Sequence, residues 1–283
     1  VARWSGPPEY WSFSSLKEVK LCPRRYALTR ATYPSLWKRS GHPPRTTEQA
    51  VIGTVIHKGV ETVIRALHDA RCDSMSDVRA VSTLRSLGGY SSIATSSIDM
   101  VVADLKGNPR MEHRLERMHD RLLQRMPDLR TAIQTLVSRT SLVASDGHSP
   151  TKNDSSNYVA SRQIGQGSHP EVRLVDKSER LMGRVDLVTV DTESVELLDY
   201  KSGQPADDHA DQLRLYGYLW SCDEVANPNE LPVTDLTVMY RDRRSSVPVP
   251  SDWETVGEGL REQVKSAEAS IANNPPKTIP SSD

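Results

Sequence analysis

Cysteine is scarce in this chain: Cys22, Cys72 and Cys222 are the only three, and no two lie close together. An odd number at such wide spacing builds neither a disulfide framework nor a self-contained four-cysteine metal site. Long apolar runs are missing as well. No stretch reaches the roughly 18 residues of a membrane span, and Val1 to Tyr10 lacks the charged and apolar blocks of a secretory leader. The expectation is a soluble, intracellular, cytoplasmic protein with no membrane attachment. An excess of one charge sign is also absent, since the formal net charge is -1. Whole-chain electrostatics therefore gives no argument for a polyanionic partner.

Charge is nevertheless unevenly spread. Residues 1–60 hold ten Lys or Arg (Arg3, Lys17, Lys20, Arg24, Arg25, Arg30, Lys38, Arg39, Arg45, Lys58) against three acids, Glu9, Glu18 and Glu48. Such an excess suits either a phosphate-facing surface or a hydrated basic face.

Periodicity divides the chain of 283 residues into a helical first half and a strand-rich second half. Trp11 to Cys22 reads as a helix capped by Ser12 or Ser14, and Pro23 opens a second, through Ala31. From Thr46 to Ala70 the residues Val51, Ile52, Val55, Ile56, Val60, Val63, Ile64 and Leu67 recur at helical spacing. Residues 76–140 read as largely helical, and Ser141 to Gly167 as a polar loop. Strands follow at Glu171–Asp176, Leu181–Val190 and Val195–Lys201. After them come a helix at Ala206–Trp220, a strand at Leu236–Arg241 pairing with Ser246–Val249, and a helix at Trp253–Ala272. The pattern predicts an α/β fold with a mixed central sheet flanked by helices. It has three parts: an N-terminal helical part (1–70), a helical insertion with a polar loop (71–168), and a strand-rich core with a C-terminal helix (169–283).

Within that core, Asp199-Tyr200-Lys201 forms a D-x-K triplet at the end of an apolar strand. Roughly one such triplet arises by chance in a chain this long; Asp104-Leu105-Lys106 and the analogous Glu18-Val19-Lys20 are examples in helical context, where such side chains diverge. On a strand, residues two apart share a face, so Asp199 and Lys201 project together and Tyr200 points away. Hairpin counting sharpens this. A four-residue loop at Asp191–Ser194 sets Val190 opposite Val195 and hence Asp186 opposite Asp199 and Arg184 opposite Lys201. A loop at Lys177–Arg180 sets Asp176 opposite Leu181 and Glu171 opposite Asp186. Three carboxylates beside one ammonium would be about 5 Å apart and mutually repulsive without a compensating cation. Hard oxygen donors favour Mg²⁺ or Mn²⁺.

Two helices add candidates. His57 lies on the flank of its apolar stripe, with Gly53 one turn earlier leaving room for close backbone approach. Gln212 and Tyr216 are four apart and share a face. For both, ordinary packing is an alternative.

In order, Ser14-Ser15-Leu16 with Cys22-Pro23-Arg24-Arg25-Tyr26, Gly53 to His57, Gly183-Arg184-Val185-Asp186, Asp199-Tyr200-Lys201 and Gln212 to Tyr216 resemble the motifs of the PD-(D/E)XK nuclease superfamily. The likeness is to its RecB-like branch, which includes CRISPR-associated adaptation exonucleases and AddB-type helicase-nucleases. It covers residues 12–67 and 170–241. The resemblance implies a restriction-endonuclease-like core and a Mg²⁺- or Mn²⁺-dependent, exonuclease-like cleavage of DNA in repair, recombination or defence, with a helicase or a defence or repair complex as partner. Asp186, Asp199 and Lys201 would be catalytic and Glu171 an auxiliary acid. His57, Asp186, Asp199 and the Tyr200 carbonyl would be metal ligands, and Gln212, Tyr216 and Arg184 would contact substrate. Many members of this branch hold a [4Fe-4S] cluster through one early and three late cysteines. Cys22 stands at the first position, but no trio follows Pro275-Pro276, so the cluster is either absent or completed beyond Asp283. Cys72 and Cys222 read as small buried apolar residues. The contrasting expectation is a catalytically inert nuclease-like domain that binds DNA or acts as a scaffold.

Overall fold

The structure is a computed structural model that describes residues 6–146, 162–273 and 276. Its first elements are set by local chemistry. Helix α1 (Phe13–Leu21) opens on a reciprocal cap between Ser12 and Ser15, and α2 (Pro23–Arg30) opens on Pro23, whose missing N–H costs nothing there. Thr47 caps α3 (Glu48–Asp69) through the Ala50 N–H at 3.2 Å, and the predicted stripe from Val51 to Leu67 is buried along it. Helices α4 (Val78–Ser86), α5 (Gly89–Leu105), α6 (Leu115–Gln124) and α7 (Met126–Ser138) follow, with a 3-10 turn at Glu112–Arg114 before α6. The Glu18 triplet lies in α1, and the Asp104 triplet ends α5, with Lys106 as its extended C-cap.

The second half holds β1 (Gly167–Asp176), β2 (Leu181–Val190), β3 (Val195–Lys201), α8 (Asp208–Cys222), β4 (Val233–Tyr240), β5 (Arg244–Val247) and α9 (Trp253–Ile271). The strands form one sheet in sequence order. β3 and β4 are parallel, with α8 as their crossover, and every other neighbouring pair is antiparallel. Both hairpin registers agree with the loop counting, since Val190 pairs with Val195 and Asp176 with Leu181.

The sheet is buried on both faces. Val185, Val188, Leu197, Leu236 and Val238 pack in one core with residues of α1, α2, α8 and α9, whereas Leu187, Leu198, Tyr200 and Met239 join the core built by α3, α5 and α7. The result is a mixed α/β sandwich of three layers. The helices of residues 78–138 thus cover a sheet face together with α3.

Two strand boundaries and one burial differ from the sequence expectation. β1 begins four residues earlier and runs through Pro170, which a sheet tolerates because β1 is an edge strand. β5 ends before Pro248, whose lack of an N–H stops the ladder. Cys72 is buried as expected, but Cys222 is exposed, because the last turn of α8 carries it outward. Residues 147–161 of the expected polar loop, and Pro275, lie outside the described residues. No described helix is long and apolar enough to cross a membrane.

Candidate active site

The β2–β3 ladder ends at Leu187–Leu198, and the side chains beyond that point converge. Asp186 Oδ2 accepts the Tyr200 backbone N–H at 2.7 Å, so a carboxylate takes a donor that lies past the end of the ladder. Val185 and Val188 face the same core while Leu187 faces the other, so the strict alternation of β2 breaks next to Asp186. Asp199, 3% exposed, points with Lys201 to the face of α8, and Lys201 Nζ stands 2.7 Å from Asp199 Oδ2. Tyr200 turns to the opposite face, where its hydroxyl meets Thr140 Oγ1 at 2.8 Å.

Helix α8 then fixes the ammonium. Lys201 donates to Gln212 Oε1 at 2.9 Å, and Gln212 Nε2 donates to the Tyr216 hydroxyl at 2.6 Å. A Cβ on Gly183 would come within 2.7 Å of the Tyr216 ring, so the glycine of the β2 motif makes room for that aromatic. From the other face, α3 brings His57 Nδ1 to 3.5 Å from Asp186 Oδ2. A Cβ on Gly53 would meet Ser202 Oγ at 3.0 Å, so this turn of α3 does run close against the end of β3.

Titration follows the crowding. Burial, then the Asp186 charge, pushes the Asp199 carboxyl up, with Lys201 opposing. Burial pulls the His57 imidazole down, but the neighbouring Asp186 and Asp199 outweigh it, and its pKa ends above the ordinary value. Burial and Asp186 also raise Glu171, against the pull of Arg184.

Two expected positions are altered. Glu171 lies between the pairs Pro170–Leu187 and Val172–Val185, but its backbone is left-handed (φ 56°) and it makes no ladder pair with Asp186. Arg184 does not stand across from Lys201, because β2 and β3 have separated there. It pairs with Arg173 of β1, and its Nε bonds the Glu171 carboxylate. Two groups near the centre were missed. Glu61 follows His57 by four residues on α3 and acts electrostatically on Glu171 and Arg184; the i, i+4 spacing was the available signal. His209, 2.8 Å from the Tyr240 hydroxyl and depressed by burial and by the Lys201 charge, had no such signal, since β4 supplies its partner.

Among the described residues no set of three or more His, Cys, Asp and Glu side chains is gathered as a metal cage. Asp199 Oδ2 is nevertheless a buried carboxylate oxygen whose near partner is the Lys201 ammonium at 2.7 Å, and the charge of Asp186 bears on the same carboxylate. Such an oxygen, with a second carboxylate next to it, fits a hard divalent cation. Cys22 Sγ, in turn, accepts from the Arg25 N–H at 3.5 Å as the cap of α2.

The family model of the PD-(D/E)XK nuclease superfamily matches residues 10–276. No match to a curated protein was found.

Proposed function

Because the chain belongs to the PD-(D/E)XK nuclease superfamily, we propose that it hydrolyses DNA phosphodiester bonds at the centre formed by Asp186, Asp199 and Lys201, in a reaction dependent on Mg²⁺ or Mn²⁺. One observation carries the reading: a buried Asp199 carboxylate, under the charge of Asp186, lies 2.7 Å from an ammonium that Gln212 holds in place. Asp186 and Asp199 would hold the cation, with His57 and the Tyr200 carbonyl as further donors. When bound, a divalent ion there neutralises phosphate charge and makes water more acidic.

The chain's own groups have separable tasks. The Tyr200 N–H fixes one Asp186 oxygen and so presents the other. Lys201 supplies positive charge and a hydrogen-bond donor where negative charge gathers on the phosphoryl oxygens, and it orients the attacking water. Gln212 and Tyr216 keep the ammonium aimed. Glu171 serves as an auxiliary acid beside Asp186, and Arg184, half of whose side chain or more is exposed, is available to a neighbouring phosphate.

The order of the five motifs supports the RecB-like branch, and with it an exonuclease-like role in repair, recombination or defence beside a helicase or another complex member. The absence of a three-ligand cage among the described residues favours a second reading, an inert DNA-binding scaffold. Labelled single- and double-stranded DNA incubated with Mg²⁺ or Mn²⁺ separates the two. Cleavage should fall by about 10²-fold or more in Lys201→Ala and in Asp199→Asn, and EDTA should abolish it. Cleavage that survives both substitutions refutes the assignment, and an inert scaffold would show no Mn²⁺ uptake by calorimetry.

A further inference from the structure

The helical layer carries a second chemical feature, a cleft of about 560 Å³ lined by Arg45, Arg114, Arg117 and Arg121 with Thr46, Thr47, Glu48 and Met118. Arg114, Arg117 and Arg121 follow at i, i+3 and i+7 through the 3-10 turn and α6, which places them on one stripe. Arg45 reaches the same space from the segment before α3. Glu48 is the acid in the lining, and it is already engaged, by Arg121 at 3.1 Å and Arg125 at 3.9 Å. Arg45, Arg114 and Arg117 have no carboxylate partner among the described residues.

With Arg121 paired to Glu48, three guanidinium groups without a carboxylate around one concavity still repel one another unless a further anion lies between them, and their planar forks match phosphate oxygens in pairs. A row also selects the kind of anion. Arg114 and Arg121 are seven residues apart, about 10 Å along a helix axis. A free phosphate reaches one or two of these groups, whereas a duplex strand offers a charge about every 3.4 Å and engages the whole row. Thr47, at the rim, precedes His57 on α3 by ten residues, about 15 Å at helical rise. A strand anchored in the cleft is therefore within a few nucleotides of the carboxylate centre.

We infer that the Arg45–Arg114–Arg117–Arg121 cleft is a phosphate track that grips the backbone of the nucleic-acid substrate a few nucleotides from the cleavage centre. The inference rests on the proposed function in taking the polyanion to be nucleic acid, but its test reads binding.

Fluorescence anisotropy of the full chain with a 12-mer, single-stranded and as a duplex, should be measured over a salt series without divalent ions, for the native protein and for Arg114→Ala/Arg117→Ala. These side chains are exposed, and an unchanged thermal melt verifies the fold. Affinity for the 12-mer should fall about tenfold or more. The slope of log affinity against log salt should shrink by about 1.4 for the single strand or 1.8 for the duplex, two contacts' worth. If the 12-mer binding and its salt slope are the same in both proteins, the inference is overturned. If no oligonucleotide is cleaved yet the double variant loses 12-mer affinity, the track stands and the nuclease reading falls.

Discussion

At the residue scale the centre is a chain of dependence. Asp199 and Lys201 share a face because a strand places residues two apart together, but the ammonium has a defined position only because Gln212 accepts from it and Tyr216 braces Gln212. Gln212→Ala leaves Lys201 without that acceptor while removing no apolar contact of weight. A hydrogen bond to a charged group contributes about 1.5–3 kcal/mol. If that interaction belongs to the transition state, kcat should fall roughly 10- to 100-fold. The thermal midpoint should move by only a few degrees. Steady-state cleavage of a labelled oligonucleotide beside a melting curve checks both; a large midpoint loss with kcat intact would make Gln212 a structural residue only.

At the scale of elements, β2 carries most of the consequence. Its pairings with β1 and β3 follow from loop lengths that could be counted, and the Val190–Val195 and Asp176–Leu181 pairs matched. What counting missed is the separation of β2 from β3 past Leu187, which turns Arg184 towards Glu171. The ends of β1 and β5 differ from expectation at Pro170 and Pro248: both strands are sheet edges, where a proline is accepted if its missing N–H would face solvent and ends the ladder if that N–H would face the neighbouring strand. Gly183 ties this strand to α8. In Gly183→Ala the new methyl must displace the Tyr216 ring, and such overpacking costs about 1–3 kcal/mol. Denaturant titration should show that loss, and cleavage should weaken with it, since Tyr216 braces the Gln212–Lys201 pair. An alanine variant as stable and active as the native protein would mean that the ring and α8 yield without cost.

At the scale of the whole molecule, a sheet covered on both faces buries groups that titrate. His169 on β1 is 3% exposed, 4.5 Å from the His68 ring of α3, and bonds the Gly165 carbonyl at 2.8 Å. Burial, then the His68 charge and the nearby Arg162, push its pKa down to about 4, with Asp146 and the Gly165 bond opposing. The folded-state value lies below the unfolded one, so the unfolded chain takes up a proton first as pH drops. Stability is therefore unaffected above about pH 6.5 and is lost as pH falls from there towards 4. The linkage amounts to about 2 kcal/mol at pH 5. Urea unfolding of the native protein and of His169→Gln at pH 7 and pH 5 measures it. The native protein should lose about that much more than the variant, and equal losses would exclude His169 as the source.

The sequence alone determined the α/β class, the starting register of the two hairpins and the order of the family motifs. Those properties are local or follow from counting: side-chain period, turn residues and loop length act over a few residues. Tertiary structure alone decided that Asp186 would cap the Tyr200 N–H, that His209 would stand near the centre, and that Arg45 would meet three arginines some seventy residues further along. These meetings depend on where β2 parts from β3 and on how α6 packs beside the start of α3. Only long-range packing sets those positions, and it leaves no periodic trace in the order of residues.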